Sequence, residues 1–198
     1  MSKQPEIDQE LVAEDTAGYK VTDKKTIAEY ANLDAEDDSL KKWKESLGLS
    51  TGALIGDPND KRRVVVLELR VDVEGADPII INLETPGALQ SLRKSPIVIR
   101  ERSRYQRRLR FRVQHEIITG LKYLQSLKRS GIRVDKSQEV CGSYPPNTVD
   151  KPYYEKTFAE EEAPHGMLAR GTYDVTSKFV DDDGVTHLEF AWQIEIKK

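Results

Sequence analysis

The chain has 198 residues, 37% of them hydrophobic and 33% charged, with a net charge of −3. That is enough for one domain of ordinary size plus an extension. The single cysteine, Cys141, rules out an internal disulfide and a Cys-based metal cluster, which suits a reducing compartment. No stretch approaches the roughly 18 uninterrupted apolar residues of a membrane span. Met1-Ser-Lys-Gln-Pro leads into acidic, polar sequence without the apolar core of a secretion signal, and the far end carries no lipidation motif. A soluble, cytosolic protein is expected, with no stable membrane insertion.

The charge is unevenly spread. Residues 1–60 hold 14 Asp/Glu against 7 Lys/Arg, and residues 61–198 hold 20 against 24, so the balances are −7 and +4. The first region is poor in large apolar side chains and reads as a mostly flexible acidic arm. Two short helices are written into it, over about residues 26–48. Thr26-Ile-Ala-Glu29 is a capping box. Asp37-Asp38-Ser39 places acids at a positive helix terminus, after which Leu40, Trp43 and Leu47 form one narrow apolar stripe that Gly48 ends. Helices this short are marginal alone. Trp43 therefore either docks on the body of its own chain or waits for a partner.

From Val64 the period becomes two. Val65, Leu67, Leu69, Val71 and Val73 alternate with more polar residues, as do Leu109, Phe111 and Val113, and finally Leu188, Phe190, Trp192, Ile194 and Ile196. Each run predicts a half-buried strand. Tyr173, Val175 and Phe179 supply a further strand, and Asp181-Asp182-Asp183-Gly184 is hairpin-turn chemistry between it and the last. Ile117–Leu127 could be read as helix, but Thr119-Gly120 favours strand. Turns at Gly75–Pro78, Thr85-Pro-Gly87, Ser130-Gly131 and Tyr144-Pro-Pro146 punctuate the rest. The pattern predicts an antiparallel β-sandwich over residues 61–198.

Catalytic signatures are missing. His115-Glu116 begins like a zinc-protease helix, but Thr119 stands where the second histidine belongs. His115, His165 and His187 follow no ligand spacing, and there is no phosphate-binding glycine loop and no nucleophile elbow. Neither an enzyme nor a cofactor is expected. The crowd Arg100, Arg102, Arg104, Arg107, Arg108, Arg110 and Arg112 with Tyr105 and Phe111 suggests nucleic acid. However, Tyr105, Leu109, Phe111 and Val113 share the parity of a buried face, so the aromatics turn away from the arginines. No nucleic-acid partner is expected.

Leu33-Asp-Ala-Glu-Asp37-Asp38-Ser39-Leu-Lys-Lys-Trp43-Lys-Glu45 resembles the arm of the Rho GDP-dissociation inhibitors. The likeness runs on through Phe111-Arg-Val113, Gly120-Leu-Lys-Tyr123, Gly142-Ser-Tyr144 and Glu161-Glu-Ala-Pro-His-Gly-Met-Leu-Ala-Arg-Gly171 to Trp192 and Ile196-Lys-Lys198. What the resemblance implies is an immunoglobulin-like sandwich that takes the geranylgeranyl group of a prenylated, mainly GDP-bound Rho-family GTPase between its sheets. The arm would lie on the GTPase switch regions and slow GDP release. The protein would extract its partner from membranes as a monomer forming one-to-one complexes.

Carried across by residue, the resemblance puts Asp37, Ser39 and Trp43 of the arm on the GTPase, with Asp135, Glu161, Glu162 and Asp183 as acids on the body. It lines the prenyl site with Val71, Ile97, Ile99, Tyr105, Ile117, Leu168, Val175, Phe190 and Trp192. The same apolar residues serve equally well as core, and the sequence does not separate the two uses. Three positions depart from the family pattern: Trp43 where tyrosine is usual, Phe190 for the first of two tryptophans, and Pro145 where glycine is usual.

Overall fold

The computed structural model describes residues 11–21, Glu29 and 54–198. Apart from Glu29, the helices expected over residues 26–48 lie outside the described residues, and with them Asp37, Ser39 and Trp43. The described elements are β1 (Val64–Val73), β2 (Ile79–Asn82), α1 (Ala88–Leu92), β3 (Ile97–Arg100), β4 (Arg104–Val113), β5 (Ile118–Arg129), β6 (Ile132–Tyr144), β7 (Tyr154–Glu162), β8 (Gly171–Val180) and β9 (Thr186–Lys197). They form a four-stranded sheet, β2-β1-β4-β7, and a five-stranded sheet, β3-β9-β8-β5-β6. The pairings are antiparallel except for β3, which runs parallel to β9 as an edge strand.

Alternation decides which side chains enter the space between the sheets. Phe190, Trp192, Ile194 and Ile196 of β9 point inward, as do Tyr173, Val175 and Phe179 of β8 and Leu109, Phe111 and Val113 of β4. Stacking these faces is what gives the sandwich its stability. The start of β1 differs from the expected parity. A bulge between Val66 and Glu68 shifts the register, so Val64 and Val66 face the interior before it and Leu69, Val71 and Val73 after it. Four consecutive apolar residues, Val64 to Leu67, carry no periodic signal, so only the strand pairing could reveal the shift. The short helix α1 was not foreseen either; it follows the Thr85-Pro-Gly87 turn and buries Leu92.

The ambiguous stretch is strand, as the glycine suggested. Gly120 takes φ +55, and a Cβ there would lie 1.7 Å from Asp182 Oδ2. Only glycine lets β5 pass under the β8–β9 turn. Ser130 and Gly131, at φ 51 and 81, form the two-residue β5–β6 turn, the backbone twist a tight hairpin requires.

The connections collect at two ends. The β3–β4, β5–β6 and β7–β8 connections share one, here the Met167 end. The β4–β5, β6–β7 and β8–β9 connections share the other, the Asp181 end.

Residues 11–21 lie against the outer face of the five-stranded sheet. Leu11 is 1% exposed and packs on Leu124 and Val180. Lys178 Nζ donates to the Leu11 carbonyl, the Glu14 amide to Gln138 Oε1, and Lys122 Nζ to the Glu14 carbonyl. This strap then reaches the Asp181 end, where Tyr19 donates to Asp183 Oδ1 at 2.7 Å.

Candidate functional site

Cross-strand register orders the interior into rows. Nearest the Met167 end, Tyr105 stands opposite Val73, and Leu127 opposite Val175, which is itself opposite Trp192. Ile97 and Ile99 join this region by pairing with Ile194 and Ile196. Seven positions of the expected lipid-binding set (Val71, Ile97, Ile99, Tyr105, Val175, Phe190 and Trp192) are thus brought together in one buried cluster. Each of them is buried, between 0 and 9% exposed.

Two positions of that set stand elsewhere. Leu168 is 89% exposed and its neighbour Met167 84%, in the β7–β8 loop. That loop is held by Arg129, whose guanidinium donates to the carbonyls of Leu168 and Arg170. Ile117 is only half-buried, in the β4–β5 turn, and the buried position belongs to Ile118 at the start of β5. Inward parity begins where the strand does, one residue later than expected.

The interior also carries polar groups. Arg107 has the inward parity of Tyr105 and Leu109 and is 4% exposed, against the expectation that the arginines face outward. The other four of β4 do face outward, Arg104 toward Glu160, Arg108 toward Asp72, Arg110 toward Glu68 and Glu155, and Arg112 toward Glu84. Arg107 donates instead to Glu161, Gln125 and the Tyr123 hydroxyl. Tyr123 lies 2.8 Å from Ser177 Oγ, which accepts from Trp192 Nε1 at 2.9 Å. Burial raises the Tyr123 hydroxyl above its ordinary range. Burial also raises that of Tyr105, helped by its hydrogen bond to Glu161 Oε2 at 2.5 Å; both phenols are neutral donors at neutral pH.

The four acids expected on the body divide between the ends. Glu161 and Glu162 close β7 at the Met167 end, and Asp135 of β6, opposite Leu127, lies on the same level. Glu162 and Asp135 are exposed, whereas Glu161 is half-buried and engaged by Tyr105 and Arg107. Asp183 is at the opposite end, under Tyr19.

The Asp181 end is a buried polar lock. Asp181 accepts from the Val185 amide, from Arg63 at 3.3 Å, and meets His187 Nε2 at 2.9 Å. Burial opposes its ionisation, but the hydrogen bonds from His187 and Val185 outweigh that and hold the carboxyl below its ordinary range. Beside it, Lys122 Nζ pairs with Asp182 at 2.8 Å, and Thr16 of the strap donates to the same carboxylate oxygen at 2.6 Å. A groove of about 450 Å³ lies along the strap, lined among others by Glu14, Tyr19, Lys122 and Val180. It belongs to the outer face, not to the space between the sheets. Among the described residues no group of three His, Cys, Asp or Glu is placed to hold a metal ion, and no helix is long and apolar enough to cross a membrane.

Fold and site together define an immunoglobulin-like sandwich whose buried chemistry is mainly apolar toward one end, down to Arg107 and Glu161, and ionic at the other. Residues 4–198 match the family described as RHO protein GDP dissociation inhibitor. The chain is 51% identical over 183 residues to the Rho GDP-dissociation inhibitor of Saccharomyces cerevisiae, covering 91% of this chain and 90% of that one. It is 46% identical over 176 residues to the Rho GDP-dissociation inhibitor of Schizosaccharomyces pombe (89% and 84% covered), and 40% over 185 residues to human Rho GDP-dissociation inhibitor 1 (93% and 88%). The chain belongs to the Rho GDP-dissociation inhibitor family, a family of regulatory proteins.

Proposed function

We propose that the protein binds prenylated Rho-family GTPases, mainly with GDP bound, and extracts them from membranes into the cytosol. In this reading the geranylgeranyl group lies between the sheets at the Met167 end. The segment containing Asp37, Ser39 and Trp43 rests on the switch regions and slows GDP release. Asp135 and Glu162, with the outer part of Glu161, meet the basic residues that precede the lipidated cysteine.

The observation that carries the reading is the company of the Met167 end: a continuous apolar interior, an exposed Met167-Leu168 loop above it, and acids at its rim. A prenyl chain leaves water with about 0.8 kcal/mol per buried CH₂, so only an equally apolar space competes with a bilayer. Parting the two sheets exposes such a space, and the side chains that are core without lipid become its walls.

The test is release of fluorescent GDP from geranylgeranylated and unprenylated forms of one Rho-family GTPase, with the natural chain and with Asp37→Ala. Slowed release that is weakened by Asp37→Ala, and binding tighter by at least about tenfold when the lipid is present, is the expected result. Lipid-dependent binding without any effect on GDP release would leave a prenyl carrier instead. Equal binding of both GTPase forms would remove the lipid from the account.

A further inference from the structure

The polar row through the sandwich is a part of the interior that an apolar pocket does not require. It starts at Glu161 on β7, passes through Arg107 on β4, crosses to Gln125 and Tyr123 on β5, and continues by Ser177 on β8 to Trp192 on β9. It therefore ties both sheets together. The Arg107 guanidinium also lies over the rings of Tyr123 and Phe158, 5.5 and 5.4 Å from their centroids. Its Nε is buried without a hydrogen-bond partner, so the group is already short of acceptors.

The row crosses the one apolar core and leaves a compartment on either side of it: Tyr105, Val73, Leu127 and Val175 toward the Met167 end, and Leu109, Phe111 and Phe179 toward the Asp181 end. A lipid inserted from the Met167 end fills the first compartment and then meets the guanidinium. To go further it must part Arg107 from Glu161 and Gln125, and a hydrocarbon chain offers nothing in exchange for those hydrogen bonds. Breaking a buried, charge-assisted contact costs about as much as burying one more isoprene unit gains.

We propose that Arg107, held by Glu161 and Gln125, is the floor of the lipid compartment and sets the length of prenyl group the protein takes. This rests on the lipid-binding reading above. Arg107 is here a specificity determinant: the last isoprene unit of a geranylgeranyl group finds little new apolar contact, and a farnesyl group fills the compartment nearly as well.

The experiment compares affinities of the natural full-length chain and its variants for one GDP-bound Rho-family GTPase carrying either farnesyl or geranylgeranyl. The natural chain should prefer geranylgeranyl by no more than about threefold, and Arg107→Met should widen that preference to about thirtyfold or more. Arg107→Lys, which keeps a buried cation, should stay near the natural ratio. Thermal unfolding checks each variant, and Gln125→Leu, which weakens the row from the facing sheet, replaces Arg107→Met if the latter does not fold. A folded Arg107→Met or Gln125→Leu with an unchanged ratio overturns the proposal, as does a natural chain that already prefers geranylgeranyl by about thirtyfold. Failure of the natural chain to bind either lipidated form more tightly than the unlipidated GTPase is a separate result, and it removes the lipid-binding reading itself.

Discussion

The two ends of the sandwich are held together by different physics. At the Asp181 end, buried carboxylates take hydrogen bonds from Arg63, His187, Lys122 and the backbone, and the strap is fastened onto the same groups. At the Met167 end the interior is mostly hydrocarbon and aromatic surface down to the Arg107–Glu161 pair, and the loop above it exposes Met167 and Leu168. Apolar contact has no preferred direction and is regained wherever two surfaces meet. A buried ion pair tolerates almost no displacement. The contrast makes the Asp181 end the stiffer of the two, which is the arrangement the proposed lipid site at the other end calls for.

The comparison breaks most severely at Asp181. Asp181→Ala leaves Arg63 and His187 beside a carboxylate-sized hole in the lock, and the expected loss is roughly 3–5 kcal/mol in urea unfolding. A loss under about 1 kcal/mol would mean that the Asp181 end is no stiffer than the other. Gly120→Ala comes next. The added methyl meets Asp182 at a φ of +55, so strain and a displaced Lys122–Asp182 pair should together cost about 2 kcal/mol. Amide exchange should also quicken in residues 11–21, because Thr16 loses its acceptor; unchanged exchange there would separate the strap from the lock.

The smallest effect lies at the Met167 end and depends on pH. Glu101 takes two hydrogen bonds from Arg170 and one from the Gly166 amide, which bring its carboxyl from the usual 4.5 down to about 2. A carboxyl depressed in the folded state adds stability above its unfolded pKa and loses it as the pH falls through the folded one. The β7–β8 loop should therefore stay tied down to about pH 4 and come loose between 4 and 2. Exchange or chemical shift of the Gly166 amide reads this directly, and Glu101→Gln should show the loosened state already at neutral pH. A Gly166 signal that ignores both changes would leave the loop held by Arg129 and Tyr173 instead.

Much of this was legible in the chain because strand alternation is a local property. β9 and the inward face of β8 follow from every second residue, and the β8–β9 turn from three aspartates and a glycine. What escaped is non-local. The β1 bulge hides in a run of apolar residues, and the parallel pairing of β3 depends on a strand nearly a hundred residues away. Arg107 is the instructive case: its parity with Tyr105 and Leu109 was plain, but only Glu161 and Gln125, brought in from other strands, make a buried guanidinium tolerable. The strap was hidden for the same reason. Leu11 is an unremarkable residue in acidic sequence until Leu124 and Val180 face it. Of the candidate lipid-binding residues, those on strands fell together, while Leu168 and Ile117, on loops, did not.

The fastening of the strap gives the chain a second anchor at one end of the sandwich. Tyr19 is bonded to Asp183, and the Ile55 amide to the Asn147 carbonyl. Both attachments are at the Asp181 end, although Tyr19 and Ile55 are far apart along the chain. A polypeptide held at two points samples fewer conformations than one held at a single point. A protease cut within residues 11–21 would leave the sandwich folded and release one of the two anchors.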